Sequence, residues 1–339
     1  MSNKVLCIPT SKHVEYVFTT EDFSRLRAKF DVVLNELGRD YASGEVAEKI
    51  KGFEALITGW GSPPLTADVF ENADRLGIIA HSAGSVKYML SKEVVQRYIM
   101  PRKICVCNAP KAIAYNVAET TLGLLIMTSH RLVDHIVNIR QKSVWYDPGI
   151  PRDVRSLNGS TIGIVGASTV GREVIRLLTP FEVKILVYDP YLSQWEAGQL
   201  EVEKTDLEDL FHRSDFVSVH APMTEETYHM ITEHHLRLLH DGSLLVNTSR
   251  GKIIDQEALV RECETGRIFV ALDVTDPEPL PADSPLRKLE NVLITPHVAG
   301  LGSYGARKIG EMTLQALDDF FSGREVKNAI DLAKYEILA

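Results

Sequence analysis

Eleven short apolar runs, rich in β-branched residues and spread along almost the whole chain, decide what this sequence can fold into. KVLCIP, DVVLNE, EALITG, LGIIAH and KICVCN lie in the first third, and TIGIVG, KILVYD, DFVSVH, SLLVNT, RIFVALD and NVLITP in the remainder. Each is nearly continuous in apolar residues, as strands buried on both faces are. Polar, helix-compatible segments separate them, so the rhythm reads as βαβ units around parallel sheets. At 339 residues the chain exceeds the ~250 to 300 at which one core stops growing, and two α/β domains are expected.

Helix ends are visible in places. TDLE at 205 to 208 reads as a capping box, and a helix is expected to open on Asp255 and close on Gly266. From 113 to 141 the apolar residues Val117, Leu124, Leu125, Val133, Ile136 and Val137 recur at helical spacing, which predicts one long connecting helix. A last helical stretch, 304 to 321, would return the chain to the first domain. The expected division is 1–108 plus 307–339 for one domain and 109–306 for the other.

Composition removes several classes of function. A formal charge of -9 and the lack of a basic stripe argue against nucleic-acid binding. No apolar run approaches the ~20 residues that span a bilayer, and MSNKVLCIPT has none of the marks of a secretory signal, so a cytoplasmic protein is expected. Cysteines 7, 105, 107 and 263 form no CxxC pair and read as reduced core residues. The histidines at 229, 234, 235 and 240 lack a supporting ligand set, so no metal is expected.

At GIVGASTVG, residues 163 to 171, a strand should turn into a helix. A dinucleotide turn places glycines for the bend, for approach to the pyrophosphate and for helix packing. Gly166 and Gly171 fill the outer places, while Ser168 stands in the middle one, tolerable if its φ stays negative. The next strand ends in Asp189, where an acid reaches ribose hydroxyls and repels a 2'-phosphate. An ordinary βα turn followed by an Asp-Pro turn is the competing reading. Arg250, Glu278 and His297 also fall at strand ends, where a doubly wound sheet gathers its ligand. Each taken alone reads equally as a surface charge, a loop acid or a satisfied histidine.

Seven blocks, in order, resemble the D-isomer-specific 2-hydroxyacid dehydrogenase family over nearly the whole chain: VAETTLG, TIGIVGASTVG, VYDPY, VSVHAPMTEETYHMI, LLVNTSRGKIID, ALDVTDPEP and ITPHVAG. The resemblance implies two Rossmann-like or flavodoxin-like parallel-sheet domains, the substrate domain and the NAD-binding domain, with the active site in the cleft between them. It also implies an NAD-dependent enzyme interconverting a small 2-oxoacid and a D-2-hydroxyacid, and a homodimer with Trp145 and Tyr146 as candidate contacts unless they cap an intrachain core.

By the same resemblance Arg250 would bind the substrate carboxylate and polarise the carbonyl, His297 would protonate the developing oxyanion, and Glu278 would orient the imidazole. Cofactor contacts would come from Thr121, Gly166, Ser168, Thr169, Val170, Gly171, Asp189, Ala221, Pro222, Thr248, Ser249, Asp273, His297 and Gly300. His220 would line the same cleft or be a satisfied strand-end histidine. Ala83, Gly84 and Ser85 would meet the substrate carboxylate, although Ser82 stands where the family has a glycine and Lys87 where an acid is common. These two either alter substrate choice or are tolerated turn residues. Glyoxylate or hydroxypyruvate reduction is the expected activity, phosphoglycerate oxidation the first alternative, and an NAD(H)-sensing module of the corepressor type the reading from a different class. Glu278 disfavours formate oxidation, because formate enzymes of this family usually carry glutamine there.

Overall fold

The computed structural model describes residues 2–150 and 154–337. The chain divides into two compact units, one running to Ile113 and resuming at Leu301, the other Ala114–Gly300. The boundaries lie at 113/114 and 300/301, where the sequence reading had 108/109 and 306/307.

In the first unit β1 (Lys4–Cys7), β2 (Asp31–Leu34), β3 (Ala55–Thr58), β4 (Ile78–His81) and β5 (Cys105–Cys107) form a parallel sheet in the order β2-β1-β3-β4-β5. Its two faces carry separate cores. Leu6, Leu56 and Ile79 point to one with Phe70, and Val5, Ile57 and Ile78 to the other with Leu26 and Ile309. Burying each such side chain is worth about 1.5 to 3 kcal/mol, which explains why these strands are apolar without alternation. The helix Ser303–Phe321 does return to this unit: a Cβ at Gly310 would stand 2.1 Å from the Val17 carbonyl oxygen, so only glycine lets the helix lie on Ser11–Val17.

The second unit holds β6 (Thr161–Val165), β7 (Lys184–Tyr188), β8 (Glu203–Lys204), β9 (Phe216–Val219), β10 (Leu244–Asn247), β11 (Phe269–Leu272) and β12 (Val292–Ile294), also parallel, in the order β12-β11-β10-β9-β6-β7-β8. All eleven runs read from the sequence are strands. The twelfth, β8, is two charged residues long at the sheet edge and carries no periodic signal.

Two local expectations need correction. The helix predicted over 113 to 141 is two helices, Pro110–Ser129 and Leu132–Gln141, parted where Arg131 takes φ 52°. There its guanidinium lies 4.7 Å from the Phe269 ring centre and pairs with Asp134, contacts that a continuous helix would forgo. The capping residue before Leu207–Arg213 is Asp206, which accepts from the Asp209 amide at 2.8 Å; Thr205 bonds the Asp209 carboxylate instead. The helix Gln256–Glu264 does open on Asp255, and Gly266 follows it in the left-handed region.

Candidate active site

The strands of the second unit are parallel, so the loops at their carboxyl ends gather on one edge, and the order reverses between β6 and β9. Gly166 leaves β6 with φ 94°, and a Cβ there would lie 2.7 Å from the Ala221 amide nitrogen. A Cβ at Gly171 would meet the Gly166 carbonyl oxygen at 2.0 Å. Both glycines are therefore dictated by contact, and the turn is as tight as a dinucleotide requires. Ser168 keeps a negative φ of -76° as the residue before the helix Thr169–Leu178, and its hydroxyl makes no capping bond. The first amides of that helix, including those of Thr169 and Val170, are of the kind that receive a pyrophosphate. Asp189 accepts from the Ala167 amide at 2.8 Å through one oxygen and from the Tyr191 amide at 2.8 Å through the other. It holds the glycine turn and still has acceptor capacity for ribose hydroxyls.

The helix Pro110–Ser129 ties two of these loops together. Thr121, wholly buried, donates to the Val117 carbonyl and shares a 2.9 Å bond with the Thr248 hydroxyl. Asn116 donates to the Gly300 carbonyl and Thr120 to the Ala299 carbonyl. After β10, Asn247 shapes the turn: its side-chain oxygen accepts from the Ser249 amide and hydroxyl, and its amide donates to the Arg250 carbonyl. Gly251 then passes so close to the next loop that a Cβ would stand 2.1 Å from the Thr275 carbonyl carbon. Sequence reading missed Asn116, Thr120, Asn247 and Gly251. Only Gly251 left a signal, as a glycine directly after a candidate catalytic arginine.

Asp273 follows β11 and is buried. One oxygen accepts from the Thr295 hydroxyl at 2.6 Å and the Val298 amide at 2.9 Å; the other accepts from the Ala299 amide at 2.9 Å. Its own carbonyl accepts from the His297 amide at 2.8 Å. The loop so held carries His297 at φ 54°, a conformation that costs about 1 to 3 kcal/mol outside glycine. From there Nδ1 lies 2.5 Å from Glu278 Oε1. Both side chains are about half exposed, so their pairing adds little to stability. Its consequence is chemical: Nδ1 is committed to the carboxylate, leaving Nε2 as the nitrogen able to exchange a proton. Arg250 is exposed as a residue, yet desolvation lowers its pKa from the ordinary arginine value while the charge of Glu278 opposes the shift. The guanidinium stays ionised at any ordinary pH. Arg250, Glu278 and His297 thus converge.

His220 is buried, shares a 2.8 Å bond with the Ser218 hydroxyl through Nε2, and leaves Nδ1 without a partner. Ala221 is buried against Gly166, and the Pro222 carbonyl accepts from the Thr227 hydroxyl. In the first unit the loop after β4 is pinned from three sides. Ser82 donates to the Thr58 carbonyl at 2.6 Å and meets His13 Nε2 at 2.8 Å; the Ala83 carbonyl accepts from the Ala109 amide and the Gly84 carbonyl from Asn108. Ser82, which departs from the family pattern, is therefore an anchor of this loop.

A model of the D-isomer specific 2-hydroxyacid dehydrogenase NAD binding domain matches residues 122–299. The chain belongs to the D-isomer-specific 2-hydroxyacid dehydrogenase family. A glyoxylate reductase of Korarchaeum cryptofilum is 37% identical over 84% of this chain and 85% of its own. A hydroxypyruvate reductase of Thermotoga maritima is 34% identical over 73% of this chain and 78% of its own. The crystal structure of the TT0316 protein of Thermus thermophilus superposes with a TM-score of 0.79 at 27% identity, covering 96% of this chain and 99% of that one. This 2-hydroxyacid dehydrogenase is accordingly an NAD-dependent oxidoreductase.

Three buried histidines set its response to acid. Desolvation lowers the pKa of His13 from 6.5 to about 4 and those of His81 and His220 to about 3, with the charge of His13 adding to the shift at His81. The folded protein refuses protons that the unfolded chain accepts below 6.5, so their contribution is complete above that pH and is lost as pH falls toward the folded values. Unfolding at about pH 5 is expected to take up about three protons more than at pH 8, measured by calorimetry in buffers of different ionisation enthalpy; equal uptake at both pH values would refute this.

Proposed function

We propose that this dehydrogenase works chiefly as a reductase of a small 2-oxoacid, with glyoxylate and hydroxypyruvate the leading substrates. The observation that carries the reading is the 2.5 Å pairing of His297 Nδ1 with Glu278 beside the Arg250 guanidinium. It supplies a fixed cation and an oriented proton donor, the two things a carbonyl needs while negative charge builds on its oxygen. When bound, NADH supplies the hydride to the carbonyl carbon. Arg250 holds the substrate carboxylate and polarises the carbonyl, and His297 gives its Nε2 proton to the carbonyl oxygen. Glu278 keeps the imidazole in the donating orientation and balances its positive charge. Oxidation of the 2-hydroxyacid runs the same transfer backwards, with neutral His297 accepting the hydroxyl proton. The relatives named glyoxylate reductase and hydroxypyruvate reductase support a small 2-oxoacid as the substrate.

We further propose a cytoplasmic homodimer joined through the second unit. Leu132, Ile136, Ile139 and Val144 there are each at least 37% exposed and Trp145 is 87% exposed, which removes Trp145 from any intrachain core. Clustered exposure of this kind marks an interaction surface. The four cysteines are free thiols, suited to a reducing compartment.

Purified protein is expected to consume NADH with glyoxylate or hydroxypyruvate, and His297→Ala to lower kcat by about 10² to 10⁴-fold with little change in NADH affinity. Absence of turnover on a panel of 2-oxoacids, together with tight NADH binding, would favour a coenzyme-sensing module instead. Sedimentation at micromolar concentration is expected to give twice the 37.8 kDa chain mass; a monomer mass would remove the dimer.

A further inference from the structure

Beyond the acid at Asp189 lies a second carboxylate, Glu226. Tyr191, two residues after Asp189, is 64% exposed and donates its hydroxyl to Glu226 Oε2 at 3.3 Å. The two residues belong to the loops that follow β7 and β9. Those strands flank β6 on either side, and all three run parallel. A bond from one flanking loop to the other therefore passes beyond the carboxyl end of β6, where the glycine turn receives the coenzyme pyrophosphate and where the adenosine half must leave it. Both carboxylates act on this point: the charges of Glu226 and Asp189 each raise the pKa of the Tyr191 hydroxyl.

The cations nearby are already engaged. Arg172 donates to the Ala167 carbonyl and, at 2.8 Å, to Glu196, which is itself the partner of Ser193 in a capping box. Lys204 donates to the Leu192 carbonyl. A 2'-phosphate arriving at the ribose would thus meet two carboxylates, while Arg172 and Lys204 are each held by partners of their own.

We infer that Glu226, held across the mouth of the coenzyme groove by Tyr191, is a selectivity residue that joins Asp189 in admitting NAD(H) and rejecting NADP(H). The inference rests on the coenzyme reading of the second unit. Ribose hydroxyls donate hydrogen bonds to the neighbouring acids, whereas a phosphate dianion is repelled by each, and removing one unit charge a few ångströms away changes affinity about tenfold.

The test is fluorescence titration of the full-length protein with NADH and with NADPH, which needs no substrate. Glu226→Gln is expected to tighten NADPH about tenfold while moving NADH by less than about twofold, with the gain shrinking as salt is added. Tyr191→Phe, which keeps the charge but frees it to swing away, is expected to shift the ratio in the same direction by about two- to threefold. An unchanged NADH to NADPH ratio in Glu226→Gln with normal NADH binding would overturn this inference alone, and equal weakening of both coenzymes would show a merely structural residue. A wild-type protein that binds neither dinucleotide would overturn the coenzyme reading, and this inference with it.

Discussion

The loop that carries His297 hangs on one buried carboxylate. Asp273 has been taken out of water, which for an isolated ion costs several kcal/mol, and three donors from a single loop compensate it: the Thr295 hydroxyl and the Val298 and Ala299 amides. Because the acid sits directly after β11 and its amide donates to the Asn247 carbonyl at the end of β10, the loop is registered against two central strands. His297 is thereby held in a left-handed conformation that an unrestrained loop would leave, and its ring reaches Glu278.

The same device recurs at the glycine turn after β6. Asp189 reaches back to the Ala167 amide as Asp273 reaches forward to its loop, so in each case a carboxylate at a strand end sets the backbone that does the work. Close contacts replace side chains wherever two such loops cross: Gly166 beneath Ala221, Gly171 over Gly166, Gly251 against Thr275. Rigid strands set loop roots and short charged hydrogen bonds set loop tips, which is how mobile connections become precise enough for hydride and proton transfer.

Much of this was legible in the sequence because it rests on strong local signals. A strand buried on both faces must be apolar throughout, so eleven of the twelve strands among the described residues announced themselves, and β8 escaped because two charged edge residues have no period. Gly166 and Gly171 were readable because steric contact forces their identity. Arg250, Glu278 and His297 were readable as a set only through the order of the surrounding motifs, since each residue type is ordinary at a strand end. What stayed hidden is what depends on distant partners. Asn247, Asn116 and Thr120 act by bonding backbone that the sequence does not place beside them, and the break at Arg131 follows from a ring, Phe269, far along the chain. The hydroxyl bond from Tyr191 to Glu226 likewise appears only once β7 and β9 are seen to flank β6.

Amide hydrogen exchange across residues 295–299, compared between the wild type and Asp273→Asn, tests the central claim most directly. Asparagine keeps the size of the side chain but turns N–H toward donors that need an acceptor. If the carboxylate sets the catalytic loop, the Val298 and Ala299 amides of the variant should exchange at least about tenfold faster while β11 stays protected. Equal protection of those amides in the two proteins would contradict the account, because the loop carrying His297 would then be held by something other than Asp273.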